Sequence, residues 1–198
     1  MFWMRHGLLI IFALVLGSQQ VLVAGTREAR AFTAAASAFQ DGLWSRAEVE
    51  FAAFAEKYPQ SGHFAEAVLL QAESDFKQQK FLQAITLLTA HESQAGNFAD
   101  QYVYWLGESQ FQNQNYAAAA ATFARLAHDF PNSPRRLDAV VNEAAARAKL
   151  GQWAQASALL QSPGGVFESG AKKNPADECE QDCAENNSSA GEAGLLTD

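Results

Sequence analysis

The sequence predicts an all-α protein, a solenoid of about four helix–turn–helix repeats. Three observations predict it. An aromatic residue, two residues of any kind and then an alanine recur as Trp44…Ala47, Phe81…Ala84, Tyr116…Ala119 and Trp153…Ala156. Those alanines lie 37, 35 and 37 residues apart, and a fixed period in that range marks stacked repeats. Between polar breaks the apolar residues recur at helical spacing, and no segment alternates like a half-buried strand.

The elements follow in order. Residues 1–25 read as a secretory signal peptide: Arg5 in the first stretch, an apolar run from Gly7 to Leu16, and small residues at Ala24 and Gly25. The run is shorter than the roughly twenty residues of a membrane span. Cleavage is expected after Ala24 or Gly25, which makes the protein periplasmic or secreted. The competing expectation is an inner-membrane signal anchor. No cysteine lies near the exit to accept a lipid.

A repeat domain is expected over 26–162, with repeats at about 28–61, 65–98, 100–133 and 137–162. The first carries Phe39, Trp44, Ala47, Phe51 and Pro59, broken by Gln40-Asp41-Gly42; its second helix shows Phe51, Phe54, Ala55 and Tyr58 on one face. The second carries Ala72, Phe76, Phe81, Ala84 and Leu88 but no terminal proline. The third breaks at Asn113-Gln114-Asn115 and again at Pro131-Asn132-Ser133-Pro134, with Phe123, Leu126, Ala127 and Phe130 between them. The fourth carries Ala144, Trp153, Ala156 and Leu160 and stops at Ser162-Pro163-Gly164-Gly165. Glycine and proline at these breaks cannot continue a helix. Alanine at a helix crossing lets two backbones approach, and a bulky aromatic fills the remaining space. Trp44, Phe81, Tyr116 and Trp153 are therefore expected to pack in the core, with Gly107 and Ala119 as close-contact positions.

Residues 163–198 change character. They hold eight acids and two lysines, so most of the chain's net charge of −8 lies there and the repeats are near neutral. Few large apolar residues follow Phe167, and such a composition predicts a disordered acidic tail. Nothing in the chain forms the basic patch that nucleic acid requires.

The segment Asp100–Ser133, with Leu106-Gly107, Phe111, Tyr116, Ala119, Phe123 and Pro131, resembles the tetratricopeptide repeat. The resemblance implies a right-handed superhelix whose first helices line a concave groove, and a scaffold that binds a protein or peptide rather than an enzyme. The Tyr-Trp-Leu-Gly-Glu and Phe-Pro-Asn-Ser-Pro phrases look like those of bacterial cell-envelope proteins. The similar families are the periplasmic Tol–Pal-associated coordinator and the lipoprotein of the outer-membrane β-barrel assembly machine. The alternative expectation is an amino-terminal fragment of a longer repeat array or of a multidomain envelope enzyme.

In the groove that the resemblance implies, one row is Phe32, Leu69, Tyr104 and Val141, a second is Ala36, Glu73, Glu108 and Ala145, and a third is Phe39, Phe76, Phe111 and Ala148. The candidate partner-binding residues are Glu73, Phe76, Tyr104, Glu108 and Phe111. Aromatics supply contact area at low entropic cost, and paired carboxylates favour a basic partner.

Other chemistry is absent from the pattern. His6, His63, His91 and His128 are scattered, with no His-Glu-x-x-His, no G-x-S-x-G and no phosphate-binding glycine loop. No catalytic residue, metal site, cofactor or small-molecule substrate is expected. Cys179 and Cys183 stand four apart in the tail, where an oxidising compartment would permit a disulfide. Overlapping Asn186 and Asn187 sequons lie beside them.

Overall fold

The computed structural model describes residues 27–161. The leader, the tail, Cys179 and Cys183 and the Asn186–Ser189 sequons lie outside them. Eight helical segments run through the described residues, with no strand among them. They are α1 (27–40), α2 (Trp44–Lys57), α3 (Phe64–Lys77), α4 (Phe81–His91), α5 (Ala99–Gln112), α6 (Tyr116–Asp129), α7 (Arg136–Lys149) and α8 (Trp153–Gln161). The fold is all-α and built of helix–turn–helix pairs, the unit of a solenoid.

The period of the sequence is a period of backbone geometry. Gly42, Gln79, Gln114 and Gly151 all have positive φ, at +72°, +62°, +63° and +76°. They are spaced as the signature alanines are. Each lies just past the end of a first helix. The Gly42 N–H donates to Phe39 and the Leu43 N–H to Ala38, the paired bonds of a Schellman cap. Gln79 and Lys80 repeat this onto Phe76 and Asp75, and Gly151 and Gln152 onto Ala148 and Arg147.

The residue that finishes this cap also starts the next helix. Leu43, Lys80, Asn115 and Gln152 accept from the N–H groups of Ala47, Ala84, Ala119 and Ala156. The repeated aromatic is thus the first residue of each second helix, and the repeated alanine closes its first turn. All four alanines are buried, at 0, 0, 0 and 7% exposure. The aromatics behave differently. Trp44, Phe81 and Tyr116 are half-buried, whereas Trp153 is 68% exposed, so core packing does not hold for it.

The links between repeats reuse a second device. In Pro59–His63 the Ser61 Oγ accepts from the His63 N–H, and in Pro131–Arg135 the Ser133 Oγ accepts from the Arg135 N–H, at 3.0 and 3.1 Å. The second link has no proline. There α4 passes into two single 3₁₀ turns, Glu92–Gln94 and Gly96–Phe98, the short form in which 3₁₀ geometry usually appears.

The chain divides into two compact units, Met1–Gln114 and Asn115–Asp198. In the first, Ala35 and Ala38 of α1 pack with Ala47, Phe51 and Phe54 of α2 and Ala67 of α3. The ring of Phe32 meets those of Phe51 and Phe54 edge-on, at 5.9 and 5.4 Å. A neighbouring cluster joins Val68, Leu69 and Ala72 of α3, Ala84 and Leu88 of α4, and Tyr102 and Leu106 of α5. The Tyr102 hydroxyl donates to the Ala65 carbonyl at 2.8 Å and ties α5 to α3. In the second unit α7 packs against both α6 and α8. Its buried apolar residues are Ala119, Ala120, Phe123, Leu126, Ala139, Val140, Ala144, Ala146 and Ala156.

Candidate functional site

Helices α3 and α5 are in contact, and they carry all five candidate residues. Glu73 and Phe76 are three apart on α3. Tyr104, Glu108 and Phe111 are four and three apart on α5, a spacing that puts each set on one helix face. All five are half-buried. The two helices are joined by a run of edge-to-face rings, the favoured arrangement for aromatic pairs. Phe81 meets Phe76 at 5.4 Å, Phe76 meets Trp105 at 5.1 Å, and Trp105 meets Tyr104 at 5.6 Å.

One predicted groove position differs. Leu69 is 2% exposed and lies in the core cluster with Ala72 and Tyr102. Its side chain is spent on packing α3 against its neighbours, so it offers nothing to a partner. Phe32 of the same row is half-buried and stacks on His63 at 4.4 Å.

Trp105 was missed. It is half-buried and bridges the rings of α3 and α5. A signal existed: its equivalents one repeat away are Leu70 and Asn142, so the tryptophan does not belong to the repeating pattern.

A second constellation was also missed, on another side of α3. Asp75 is 3% exposed, and its Oδ1 has no hydrogen-bond partner. Beside it, Glu48 of α2 accepts from Gln78 Nε2 at 2.7 Å and from Lys80 Nζ. Burial first, then the Glu48 charge, pushes the Asp75 carboxyl up to about 7. Burial also pushes Glu48 up, but the hydrogen bonds from Lys80 and Gln78 outweigh it and the net direction is down. The two acids thus differ: Glu48 is displaced toward its charged form and Asp75 toward its protonated form. Glu48, Asp75, Leu82, Thr86, Leu87 and Ala90 border a cleft of 520 Å³.

In the second unit, Glu143 is 4% exposed and pairs with Arg147, whose Nε lies 2.7 Å from Oε1. His128 pairs with Asp129 and His63 with Glu66 near helix ends. Among the described residues there is no group of three or more His, Cys, Asp or Glu fit to hold a metal ion. No described helix is long and apolar enough to cross a membrane.

Residues 101–133 match the family model of the tetratricopeptide repeat. No curated protein matches the chain. The matched stretch covers α5, its turn and α6, together with the Pro131–Ser133 link. Tetratricopeptide repeats serve protein–protein interaction scaffolds that are generally non-catalytic, and the helix pairs described above are the architecture they use.

Proposed function

We propose that this chain, which carries a tetratricopeptide repeat over residues 101–133, is an exported scaffold that holds a partner protein segment against helices α3 and α5. Its place is in assembly or maintenance of a cell envelope. Export rests on the leader pattern of residues 1–25. The observation that carries the binding reading is the run of part-exposed rings from Phe76 through Trp105 to Tyr104, flanked in sequence by Glu73 and Glu108. Rigid aromatics give contact area at low entropic cost. Two carboxylates beside them favour a segment that is basic and apolar, and disfavour an acidic one.

The test is capture from an envelope extract by the chain from Thr26 to Asp198. The double variant Glu73→Gln, Glu108→Gln should weaken capture and flatten its salt dependence while helical content by circular dichroism stays unchanged. Deleting residues 166–198 should leave capture intact. Capture lost with the tail and kept in the double variant would move the binding function to the acidic segment.

A further inference from the structure

The cleft between α2 and α4, floored by α3, is separate from the aromatic run. Asp75 follows Glu73 by two residues, which on a helix of 3.6 residues per turn is about 200° around the axis. Glu73 and Asp75 therefore face different sides of α3.

We propose that this cleft binds an alkyl cation, a guanidinium or ammonium group on an apolar stem, with Asp75 Oδ1 as its acceptor. Three observations converge. First, Asp75 is 97% buried by its 3% exposure, and its Oδ1 is unpaired. A buried acceptor without a donor costs free energy that a ligand N–H recovers. Second, no cation among the described residues is bonded to Asp75. Glu48 and Asp75 face a single ammonium, that of Lys80, and Gln78 is neutral. Lys80 pairs with Glu48 rather than with Asp75, so ionised Asp75 has no bonded counter-charge. Third, the rim suits a stem. Leu82 is 63% exposed, Leu87 and Ala90 stand beside it, and the Thr86 hydroxyl is occupied by the Leu82 carbonyl at 2.8 Å. An aliphatic chain covers that wall while its head reaches the acid.

The cation has two sources, a free small molecule or an arginine or lysine side chain of a protein segment. The experiment is a titration of the chain from Thr26 to Asp198 with n-butylguanidinium, followed by carbon NMR of the Leu82 and Leu87 methyls and the Asp75 carboxyl. Saturable shifts at all three are expected. The affinity should rise between pH 6 and 8, because the cation binds ionised Asp75 beside Glu48 and Lys80. Asp75→Asn, a neutral replacement of the same size, should weaken binding at least tenfold; Glu48→Gln serves if that variant melts early. Uncharged n-butanol should give no saturable shift. A pentapeptide with central arginine and capped ends separates the sources: tighter binding than n-butylguanidinium assigns a protein segment, weaker binding a small cation. Equal response to n-butanol, unchanged binding by Asp75→Asn, or shifts confined to Phe76, Tyr104 and Phe111 would each overturn the proposal. So would the absence of any shift, leaving Oδ1 to a buried water alone.

Discussion

The two units use one backbone scheme and fill it differently. In the first, the space around the alanines is taken by rings: Phe51 and Phe54 are buried at 0 and 2% exposure, with Phe32 and Phe39 against Phe51. In the second, alanines make up most of the buried apolar set, with Phe123, Leu126 and Val140. At the repeat position where the first unit buries Asp75, the second places Arg147, partly exposed and bonded to Glu143, Gln152 and Gln155. The period thus specifies where a chain turns and where helices approach. It does not specify how much apolar surface each repeat buries, and burial supplies most of the stability.

Phe51→Ala probes the difference hardest. A fully buried phenylalanine removed from a ring cluster costs about 3–5 kcal/mol, and urea denaturation should show the first unit losing that amount while the second keeps its midpoint. Parallel losses in both units would end the comparison, since they would then unfold as one body.

The shared turn offers a sharper test. Gly42→Ala and Gly151→Ala should each cost about 1–2 kcal/mol, because a Cβ in the left-handed region is strained. Space does not explain it: a Cβ at Gly42 would meet Trp44 no closer than 3.7 Å, and at Gly151 nothing within 4 Å. Gln79→Gly, at the same turn position, should instead stabilise by about 0.5 kcal/mol. A stabilising effect of alanine at either glycine would show that the two turns do not share this geometry.

The polar difference should appear as a pH slope. Asp75 holds its proton up to about 7 in the fold and loses it near 4 when unfolded. The folded chain therefore binds more protons over that interval, and Asp75's contribution to stability falls as pH rises from about 4 to 7. Glu48, displaced downward, contributes in the opposite sense, at the acid end. Asp75→Asn should flatten the fall in thermal melts taken between pH 5 and 8. A wild-type slope that survives this substitution would assign the effect elsewhere.

The smallest effect is expected at Trp153. At 68% exposure it buries little, and Trp153→Ala should change stability by less than about 0.5 kcal/mol. A larger loss by denaturant titration would show that the second unit leans on an aromatic as the first does.

The repeats were readable because alanine at a crossing and proline or glycine at a break are backbone requirements, which leave fixed spacings. Gln79 and Gln114 were harder, since glutamine is not a turn residue by type and only alignment with Gly42 and Gly151 reveals them. Leu69 was misplaced because a row of equivalent positions says which side of a helix a residue occupies but not how closely the next helix covers it. Asp75 was invisible: its neighbours Glu48 and Lys80 lie 27 residues before it and 5 after it, and nothing in a sequence marks a buried acid. The five candidate groove residues came from repeat register, and their part-exposed setting is compatible with it.

The placement of the tryptophans has an optical consequence. Within the described residues, Trp105 and Trp44 are half-buried in the first unit and Trp153 is exposed in the second. Emission from the chain that begins at Thr26, which lacks Trp3, should therefore have two components, a blue one shielded from iodide and a red one that iodide quenches. On unfolding the blue component shifts red, whereas Trp153 has little spectral change left to make. Intensity at short wavelength then follows the first unit alone, and a single fluorimeter trace resolves which half of the molecule opens.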